Sequence, residues 1–361
     1  PSQQNWQPYN SLKKPGQMRA QSYQTVAHGA DTIQFFQLRR SVGGCEKFHG
    51  AVIAHAGTAD TRVFREVTQL GKELEKIGSR VMGSENHAKV GIIFDWENYW
   101  ALEYTSGPNR DLRYVDQIEQ MYNYFYNKNI AVDMIPIDAD FSKYDLVAAP
   151  VLYMVKDGVA ESLEAYVQAG GTLITTYMSG IVGQSDNVHL GGYPGPLRKM
   201  AGVWVEEIDA LAPEQRNKIR FADGTEEECR LVCDLMHLEG AEEIAQYESD
   251  FYAGMPCVTR NQYKNGTAYY IGTDPDDEFL ADFFDQVTKD CKITPVYEAQ
   301  ENVEVTRRVN EKETTIFVLN HNQTPSWVDF GEDSLTNLVT KETKTGRCEI
   351  AGRDVWVLKK N

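Results

Sequence analysis

The sequence lacks the features of a membrane-bound or nucleic-acid-binding protein. No apolar run approaches the ~20 residues that a membrane-spanning helix needs, and no segment has the pattern of a signal peptide. Basic side chains are in the minority, since 36 Lys and Arg stand against 53 Asp and Glu for a formal charge of −17. Because such a chain repels phosphates, we expect a cytoplasmic protein with no nucleic-acid partner and no membrane partner.

Cysteine is too scarce and too scattered for a disulfide framework. The six cysteines are spread over 361 residues, which is typical of reduced thiols in a large chain. Only Cys229, Cys233 and His237 are closely spaced, and intervals of four would place them on one face of a helix. A structural zinc site usually has four ligands, and leucines interrupt this stretch, so we expect packing and no metal site.

The apolar content, 42% of the residues, is enough for two or three globular domains. At the start, Ser11 as a cap, Pro15-Gly16 ahead of Met18 and a closing Gly29 predict a helix over 18–28, and apolar spacing predicts a second over 63–77. Between them, the β-branched and aromatic run 32–38 predicts a strand. Helix, strand, loop and helix is the order at the end of a β/α barrel, but one strand cannot close a barrel. We therefore expect residues 1–78 to be the last part of a (β/α)8 barrel.

The rest of the sequence shows two further patterns, and together with the first segment they predict an α/β protein. Strands and helices alternate from 89 to 295, which predicts a flavodoxin-like, doubly wound sheet. From 298 to 361 short strands and turns, one of them at Gly346, predict a small all-β domain. The predicted strands are 90–94, 130–135, 146–151, 172–177, 303–309, 314–319 and 355–358, and the predicted helices of the middle domain are 114–127 and 160–169.

Four residues of the first segment are candidates for sugar binding. Trp6, Phe36, Glu46 and His49 lie on or beside segments that a barrel would place at its C-terminal mouth. An aromatic face packs against the C–H face of a pyranose, while carboxylate and imidazole groups pair with its hydroxyls. By residue type alone, Glu46 can equally be a surface carboxylate and His49 a capping histidine.

Several runs of residues resemble glycoside hydrolase family 42, the β-galactosidases. The matching runs follow the family's order along almost the whole chain. They are Asn5-Trp6-Gln7-Pro8-Tyr9-Asn10, Pro15-Gly16, Ala27-His28-Gly29-Ala30-Asp31, Phe35-Phe36-Gln37-Leu38-Arg39-Arg40, Gly43-Gly44-Cys45-Glu46-Lys47-Phe48-His49-Gly50, Phe94-Asp95-Trp96-Glu97-Asn98, Leu238-Glu239-Gly240-Ala241-Glu242 and Asp250-Phe251-Tyr252-Ala253-Gly254.

The resemblance implies a homotrimer that hydrolyses terminal β-galactosides with retention, through two glutamates and without a cofactor. Neither catalytic glutamate has a match in this sequence. In the family the nucleophile precedes the tryptophan matched by Trp6 by eight residues, and counting back eight from Trp6 runs past Pro1. We therefore expect the nucleophile and the acid/base to lie upstream of Pro1 and the isolated chain to be inactive.

The resemblance also assigns residues that bind the substrate. It implies that Trp6 lines the galactose subsite, that Glu46 and His49 bond the galactose hydroxyls, and that Phe36 packs nearby. One residue beside them departs from the family, which commonly has tryptophan where this chain has Leu38. We therefore expect sugar-binding residues in this segment and no catalytic residue.

Two other functions remain open from the sequence. One is a non-enzymatic trimerisation scaffold that retains sugar-contact residues. The other is a small-molecule enzyme on the middle domain, with a flavin or nucleotide at the strand ends near Asp95 and Trp96. Asp95 and Glu97 can instead have a structural role in a loop or an interface, which would leave no ligand site there.

Overall fold

The computed structural model describes residues 5–361, which form two compact units. The first unit runs to His87 and includes Asn127–Ala131 and Pro295–Asn361, and the second comprises Ala88–Tyr126 and Val132–Thr294. The predicted segments 1–78 and 298–361 thus fall within one unit. Within the described chain the helices are α1 Gln17–Ala27, α2 Arg62–Val81, α3 Trp96–Tyr104, α4 Tyr114–Asn127, α5 Val159–Gln168, α6 Arg198–Ala201 and α7 Asp277–Asp290.

The expectation about the catalytic glutamates refers to a residue that the structure does not describe. Pro1 lies outside residues 5–361, and so does any position upstream of it. That the nucleophile and the acid/base lie before Pro1 therefore stays a prediction of the sequence comparison.

The strands of the two units form two separate sheets. Those of the second unit are β1 Val90–Ile93, β2 Val132–Ile135, β3 Leu146–Ala149, β4 Thr172–Thr176, β5 Val203–Ala210, β6 Asn217–Phe221, β7 Glu226–Leu238, β8 Glu242–Tyr247, β9 Pro256–Tyr263, β10 Gly266–Ile271 and β11 Thr273–Pro275. Those of the first unit are β12 Glu298–Ala299, β13 Val303–Val309, β14 Thr314–Asn320, β15 Ser326–Asn337, β16 Thr343–Ile350 and β17 Val355–Lys360.

In the first unit, α1 and α2 pack on one face of an antiparallel sheet. The sheet order is β12-β15-β17-β14-β13, with β16 paired to β15. The shared core joins Tyr23 and Leu70 of the helices to Phe317 and Val357 of the sheet. Helix α1 ends as predicted, since Gly29 follows it with a φ of 114°, a conformation that glycine adopts without strain. The two helices therefore bury their apolar faces against this sheet.

Three predictions for the first unit are wrong. Residues 32–38 form no strand in the described chain; the only ladder contact nearby is a single parallel bridge between Arg39 and Ile53. A run of apolar residues becomes a strand only where neighbouring strands pair with it. Helix α2 continues past Gly78 to Val81, and Gly346 lies inside β16, not in a turn.

In the second unit, five strands form a parallel core to which antiparallel strands are added. The parallel order is β2-β1-β3-β4-β10, and the sheet continues as β9-β8-β6-β7-β11. Strands β1 and β3 are buried along their whole length, as expected for central parallel strands covered on both faces. The mixed α/β class is therefore confirmed, with the predicted alternation of strands and helices from β1 to β4.

Cys229, Cys233 and His237, whose spacing would suit one face of a helix, lie on strand β7 instead. Both cysteines are buried. His237 stacks on Trp204, with 4.5 Å between ring centroids, and its Nε2 lies 2.7 Å from a carboxylate oxygen of Glu206. An i, i+4 spacing also places residues on one face of a strand, so the spacing alone did not distinguish the two structures.

Strand β10 begins at Gly266, where neighbouring backbone leaves no space for a side chain. A Cβ atom on Gly266 would lie 2.2 Å from the carbonyl oxygen of Val167 and 2.3 Å from that of Gly171. We expect Gly266→Ala to lower the free energy of unfolding by about 1–3 kcal/mol, the usual effect of overpacking. Gly71→Ala is the control, because its Cβ meets nothing within 4 Å in exposed helix α2 and should stabilise by up to ~1 kcal/mol. Urea denaturation of both variants measures the difference, and equal midpoints would contradict it.

Candidate functional site

A turn in the loop between α1 and α2 holds two of the predicted site residues. The backbone N–H of His49 donates to the carbonyl of Glu46 at 3.0 Å, which closes the turn. His49 is buried, and its Nδ1 lies 3.9 Å from a carboxylate oxygen of Glu46, which is more exposed. The turn therefore presents a carboxylate and an imidazole side by side, as the sequence predicted.

Trp6 lies against the same turn. Its ring meets the His49 ring edge to face, with 4.6 Å between centroids and 82° between planes. The side chain of Asn5 accepts a hydrogen bond from the backbone N–H of Gly50 at 3.2 Å, which ties the Trp6 segment to the turn. Trp6 remains 70% exposed. An aromatic face thus stands beside the two polar side chains, the combination that a pyranose requires.

Phe36 is not part of this cluster in the described residues. It is 66% exposed, as is Leu38, and it makes no ring contact with Trp6 or His49. The backbone following it is held next to residues 52 and 53 instead: the N–H of Ile53 donates to the carbonyl of Leu38 at 2.7 Å. The structure therefore brings three of the four predicted residues together and leaves Phe36 apart.

Two polar residues of the segment that follows α1 were not predicted from the sequence. The side-chain Nε2 of Gln37 and the Nε of Arg40 are buried and have no hydrogen-bond partner among residues 5–361, and the same is true of Nδ1 of His49. Buried polar groups are almost always hydrogen-bonded, so unpaired ones call for an explanation. Gln37 and Arg40 were noted only as part of the run 35–40, where their residue types gave no further signal. These N–H groups can donate hydrogen bonds to the oxygens of a ligand.

Arg308 of β13 anchors the segment that precedes this site. Its guanidinium, 1% exposed, donates to the carbonyls of Val26, Ala30 and Ser84 and to the carboxylate of Asp31 at 2.8 Å. The hydrogen bond from Arg308 lowers the pKa of Asp31. The chain leaving α1 is therefore fixed to the sheet before it enters the segment that carries Phe36.

A second buried group on β13 fixes α1 itself. The carboxylate of Glu304 lies 2.5 Å from Nε2 of His28 and 2.9 Å from Nε2 of His321, and it also accepts from Gln24. Burial raises the pKa of Glu304, but the hydrogen bonds from the two histidines outweigh it and hold the pKa at about 2. The hydrogen bond to Glu304 raises the pKa of His28. Glu304 therefore joins α1, through Gln24, to strand β13.

Asp95 and Glu97 of the second unit have structural roles. Asp95 caps helix α3 by accepting from the N–H of Asn98 at 3.1 Å. Lys156 lies 2.8 Å from a carboxylate oxygen of Asp95 and also pairs with Glu97. Both acids at the end of β1 therefore already pair with Lys156, and Asp95 also caps a helix, which favours the structural interpretation over a nucleotide site.

A cavity of about 820 Å³ lies at the opposite edge of the parallel strands. Its lining includes Asp145, which precedes β3, together with Thr172 and Thr267 at the starts of β4 and β10. Ligands of open α/β sheets bind outside the carboxyl ends of the strands, so this cavity does not match the expected position. Among residues 5–361, no group of three or more His, Cys, Asp or Glu side chains is arranged to hold a metal ion, and none of the described helices has the length and apolarity needed to cross a bilayer.

Comparison with known proteins shows the family. The β-galactosidase trimerisation domain model matches residues 88–294, the β-galactosidase model matches 1–77, and the β-galactosidase C-terminal domain model matches 302–360. The chain therefore belongs to the glycoside hydrolase family 42 β-galactosidases and corresponds to their C-terminal portion, which confirms the resemblance seen in the sequence.

Individual relatives agree along the full chain. The β-galactosidase BgaP of Planococcus sp. (strain L4) is 49% identical over 100% of this chain and 54% of its own length. LacZ of Lactobacillus acidophilus is 48% identical over 99% of this chain and 54% of its own length. The chain thus spans about half the length of the curated relatives it matches.

Solved structures match as closely. A β-galactosidase from Bacillus circulans sp. alkalophilus superimposes with a TM-score of 0.98 at 46% identity, covering 100% of this chain and 54% of that one. A β-galactosidase from Rahnella sp. R3 gives a TM-score of 0.93 at 42% identity with the same coverage. The fold of this chain is therefore that of the corresponding part of these enzymes.

Proposed function

We propose that the chain supplies galactose-binding residues and the trimerisation domain of a retaining β-galactosidase. The observation that carries this proposal is the cluster of Trp6, His49 and Glu46, with the rings of Trp6 and His49 4.6 Å apart and the buried Nδ1 of His49 without a hydrogen bond within the described chain. Unpaired buried groups favour a substrate rich in hydroxyls, because each hydroxyl both donates and accepts.

Each residue of the cluster has a distinct role in this proposal. Trp6 packs against the C–H face of a terminal galactose, while Glu46 and His49 bond neighbouring hydroxyls. Gln37 and Arg40 offer further donors to the sugar, while Phe36 is kept as a binding residue on the family resemblance alone. We assign Glu46 to binding and not to catalysis, because the resemblance matches it to a residue that bonds the galactose hydroxyls, and its carboxylate lies 3.9 Å from Nδ1 of His49.

The proposed catalytic pair lies outside this chain. Retention requires a nucleophile and an acid/base, and we assign both to positions upstream of Pro1, because the family's nucleophile precedes the tryptophan matched by Trp6 by eight residues. The proposal therefore names no catalytic residue among the 361, and no cofactor.

The proposed architecture follows the same family. We assign residues 1–78 to the end of a (β/α)8 barrel, 89–295 to a flavodoxin-like trimerisation domain and 298–361 to a small β domain; residues 1–4 lie outside the described chain. The parallel order β2-β1-β3-β4-β10 supports the second assignment, since flavodoxin-like sheets have the order 2-1-3-4-5. The matched trimerisation model supports a homotrimer. We place the protein in the cytoplasm.

Reconstitution tests the proposed activity. We expect no β-galactosidase turnover from the 361 residues alone, because neither family glutamate has a match in the sequence. Mixing with a separately produced N-terminal part of a family 42 relative should restore turnover of a β-galactoside. Glu46→Gln should then lower kcat/KM by about 10- to 100-fold, the effect of losing one charged hydrogen bond to the sugar. Glu75→Gln on the exposed side of α2 is the matched control.

The outcomes separate the two functional classes. Restored turnover that depends on Glu46 supports the split β-galactosidase. A stable trimer that restores no turnover with the added part would instead favour the non-enzymatic scaffold. Turnover by the 361 residues alone, abolished by Glu46→Gln, would contradict the proposal that Glu46 only binds.

A further inference from the structure

The proposed function makes no use of the cavity of about 820 Å³ in the second unit, although its volume is within the range of small-molecule sites. The cavity lies where β3, β4 and β10 begin, and it is also lined by Arg260 of β9 and by Cys291, which follows α7. Nucleotides bind at the opposite ends of such strands. The chemistry of the lining therefore has to indicate the ligand.

Two tyrosines give the cavity an aromatic wall that is already ordered. Tyr166 and Tyr269 are both buried, and the hydroxyl of Tyr166 donates to the carbonyl of Thr172 at 3.1 Å. The ring of Tyr269 packs edge to face on Phe283, with 5.3 Å between centroids. A Cβ atom on Gly171 would lie 2.3 Å from the ring of Tyr166, so glycine is needed for the ring to occupy this position. An ordered aromatic wall suits the C–H face of a ring-shaped ligand.

Charged side chains of both signs line the same cavity. The bases are Arg260 and Lys292, neither of which forms an ion pair with any of residues 5–361. The acids are Asp145, which pairs with a lysine outside the lining, and Asp290, which accepts from Nε2 of Gln286 at 2.8 Å. Because two acids face two bases, the lining selects neither an anion nor a cation. Hydroxyl groups, which both donate and accept, can pair with all four side chains.

A smaller cavity of about 440 Å³ adjoins the first. The two cavities share Arg260, Tyr269, Val287 and Asp290, which therefore form the junction between them. Beyond the junction the smaller cavity is lined by further aromatic rings, among them that of Phe221. A ligand with two or more rings can therefore occupy both cavities and pass the charged side chains at the junction.

We propose that the two cavities bind a neutral oligosaccharide. One sugar ring lies in the larger cavity against Tyr166 and Tyr269, and the next lies in the smaller cavity beside Phe221. Arg260 and Asp290, at the junction, bond hydroxyls of the two rings. This site is additional to the galactose-binding residues proposed in the first unit and does not depend on them. It holds an oligosaccharide at a second point of the protein.

Alkylation of the full chain by iodoacetamide, with and without β-linked galactotriose, tests this inference. Three partly or fully exposed free cysteines serve as reporters: Cys291 lines the larger cavity, Cys45 precedes Glu46, and Cys348 belongs to neither site. The reaction is run at about pH 9, because burial raises the pKa of the Cys291 thiol. We expect galactotriose to slow alkylation of Cys291 about fivefold once about four fifths of the sites are occupied, and to leave Cys348 unchanged. Mass spectrometry of the peptides measures the rate at each cysteine.

Two exposed residues at the junction provide the test variant. Arg260→Met combined with Asp290→Asn should abolish the protection of Cys291, because the pair supplies a donor and an acceptor to the sugar. Protection is the ratio of the alkylation rates without and with galactotriose, so a different rate in the sugar-free variant does not affect it. Arg216→Met is the matched control, because Arg216 is exposed in the same unit and lines neither cavity. It should retain the wild-type protection, and equal protection in the double variant would overturn the inference.

The reporters also separate this inference from the proposed function. Protection of Cys45 alone supports the sugar-binding residues of the first unit and overturns the site in the second. Protection of Cys291 alone supports the two cavities and contradicts the site beside Glu46, and protection of neither contradicts both. If inorganic phosphate protects Cys291 and galactotriose does not, the cavity binds anions, which also overturns the inference.

Discussion

Replacing Arg308 by methionine is expected to destabilise the first unit by about 3 kcal/mol. The guanidinium donates five hydrogen bonds, to the carbonyls of Val26, Ala30 and Ser84 and to Asp31. Methionine fills similar space but leaves the carbonyls unpaired, at a cost of about 1 kcal/mol or more each. The apolar side chain avoids the cost of burying a charge, which limits the loss.

Hydrogen exchange localises this effect. Amides of β14, which pairs with β13, should exchange about 100-fold faster in R308M, the equivalent of about 3 kcal/mol. Amides of β3 in the second unit provide an internal reference. Arg307→Met is the matched control, because Arg307 is the exposed neighbour on the same strand, and it should change exchange by less than about threefold. Equal exchange rates in R307M and R308M would contradict the anchoring role of Arg308.

The importance of Arg308 could not be read from the sequence. Its partners Val26 and Ser84 lie 282 and 224 residues away, and residue type gives no sign of a contact at that separation. A charged residue in an alternating strand is expected to face solvent, as Arg307 does. The burial of Arg308 follows instead from the packing of α1 on the same face of β13, which only the folded structure reveals.

The sequence predicted those helices and strands whose structure is set by residues within or next to them. Helix α1 was predicted from Pro15-Gly16 before it and Gly29 after it, and β1 from an unbroken apolar run. Residues 32–38 failed because their composition suits a strand but no adjacent strand of the described chain pairs with them. Strand β16 was not predicted because its residues before Ile350 are polar or small, which gives no apolar pattern.

The candidate site was predicted in part. Residue chemistry and family resemblance selected Trp6, Glu46 and His49, which the fold brings together. Gln37 and Arg40 were not predicted. They are candidates because each has a buried nitrogen without a hydrogen-bond partner, and this depends on the folded chain and not on residue type. That these groups bind a galactoside stays a prediction.

The network around Glu304 should make the first unit unstable in acid. Its pKa is about 2 in the folded chain, below the ordinary 4.5 of an unfolded glutamate. Between these values the unfolded chain binds more protons, so stability is present above pH ~5 and is lost as pH falls through 2. The pKa difference corresponds to about 3 kcal/mol. In the opposite direction, the raised pKa of His28 gives stability that is present below pH 6.5 and lost as pH rises through its folded value.

Glu304→Gln isolates this contribution. At pH 6 the variant should unfold more easily than wild type by up to about 3 kcal/mol, and the difference should shrink to nothing near pH 2, where Glu304 is protonated. Exchange of β14 amides at a series of pH values, corrected for intrinsic rates, measures the difference. Glu301→Gln, an exposed acid two residues before β13, should leave the pH profile unchanged. If the free energies of unfolding of wild type and Glu304→Gln differ by the same amount at every pH from 6 to 2, the two histidines do not lower the pKa of Glu304. Helix α1 would then be held by packing and by Arg308 alone.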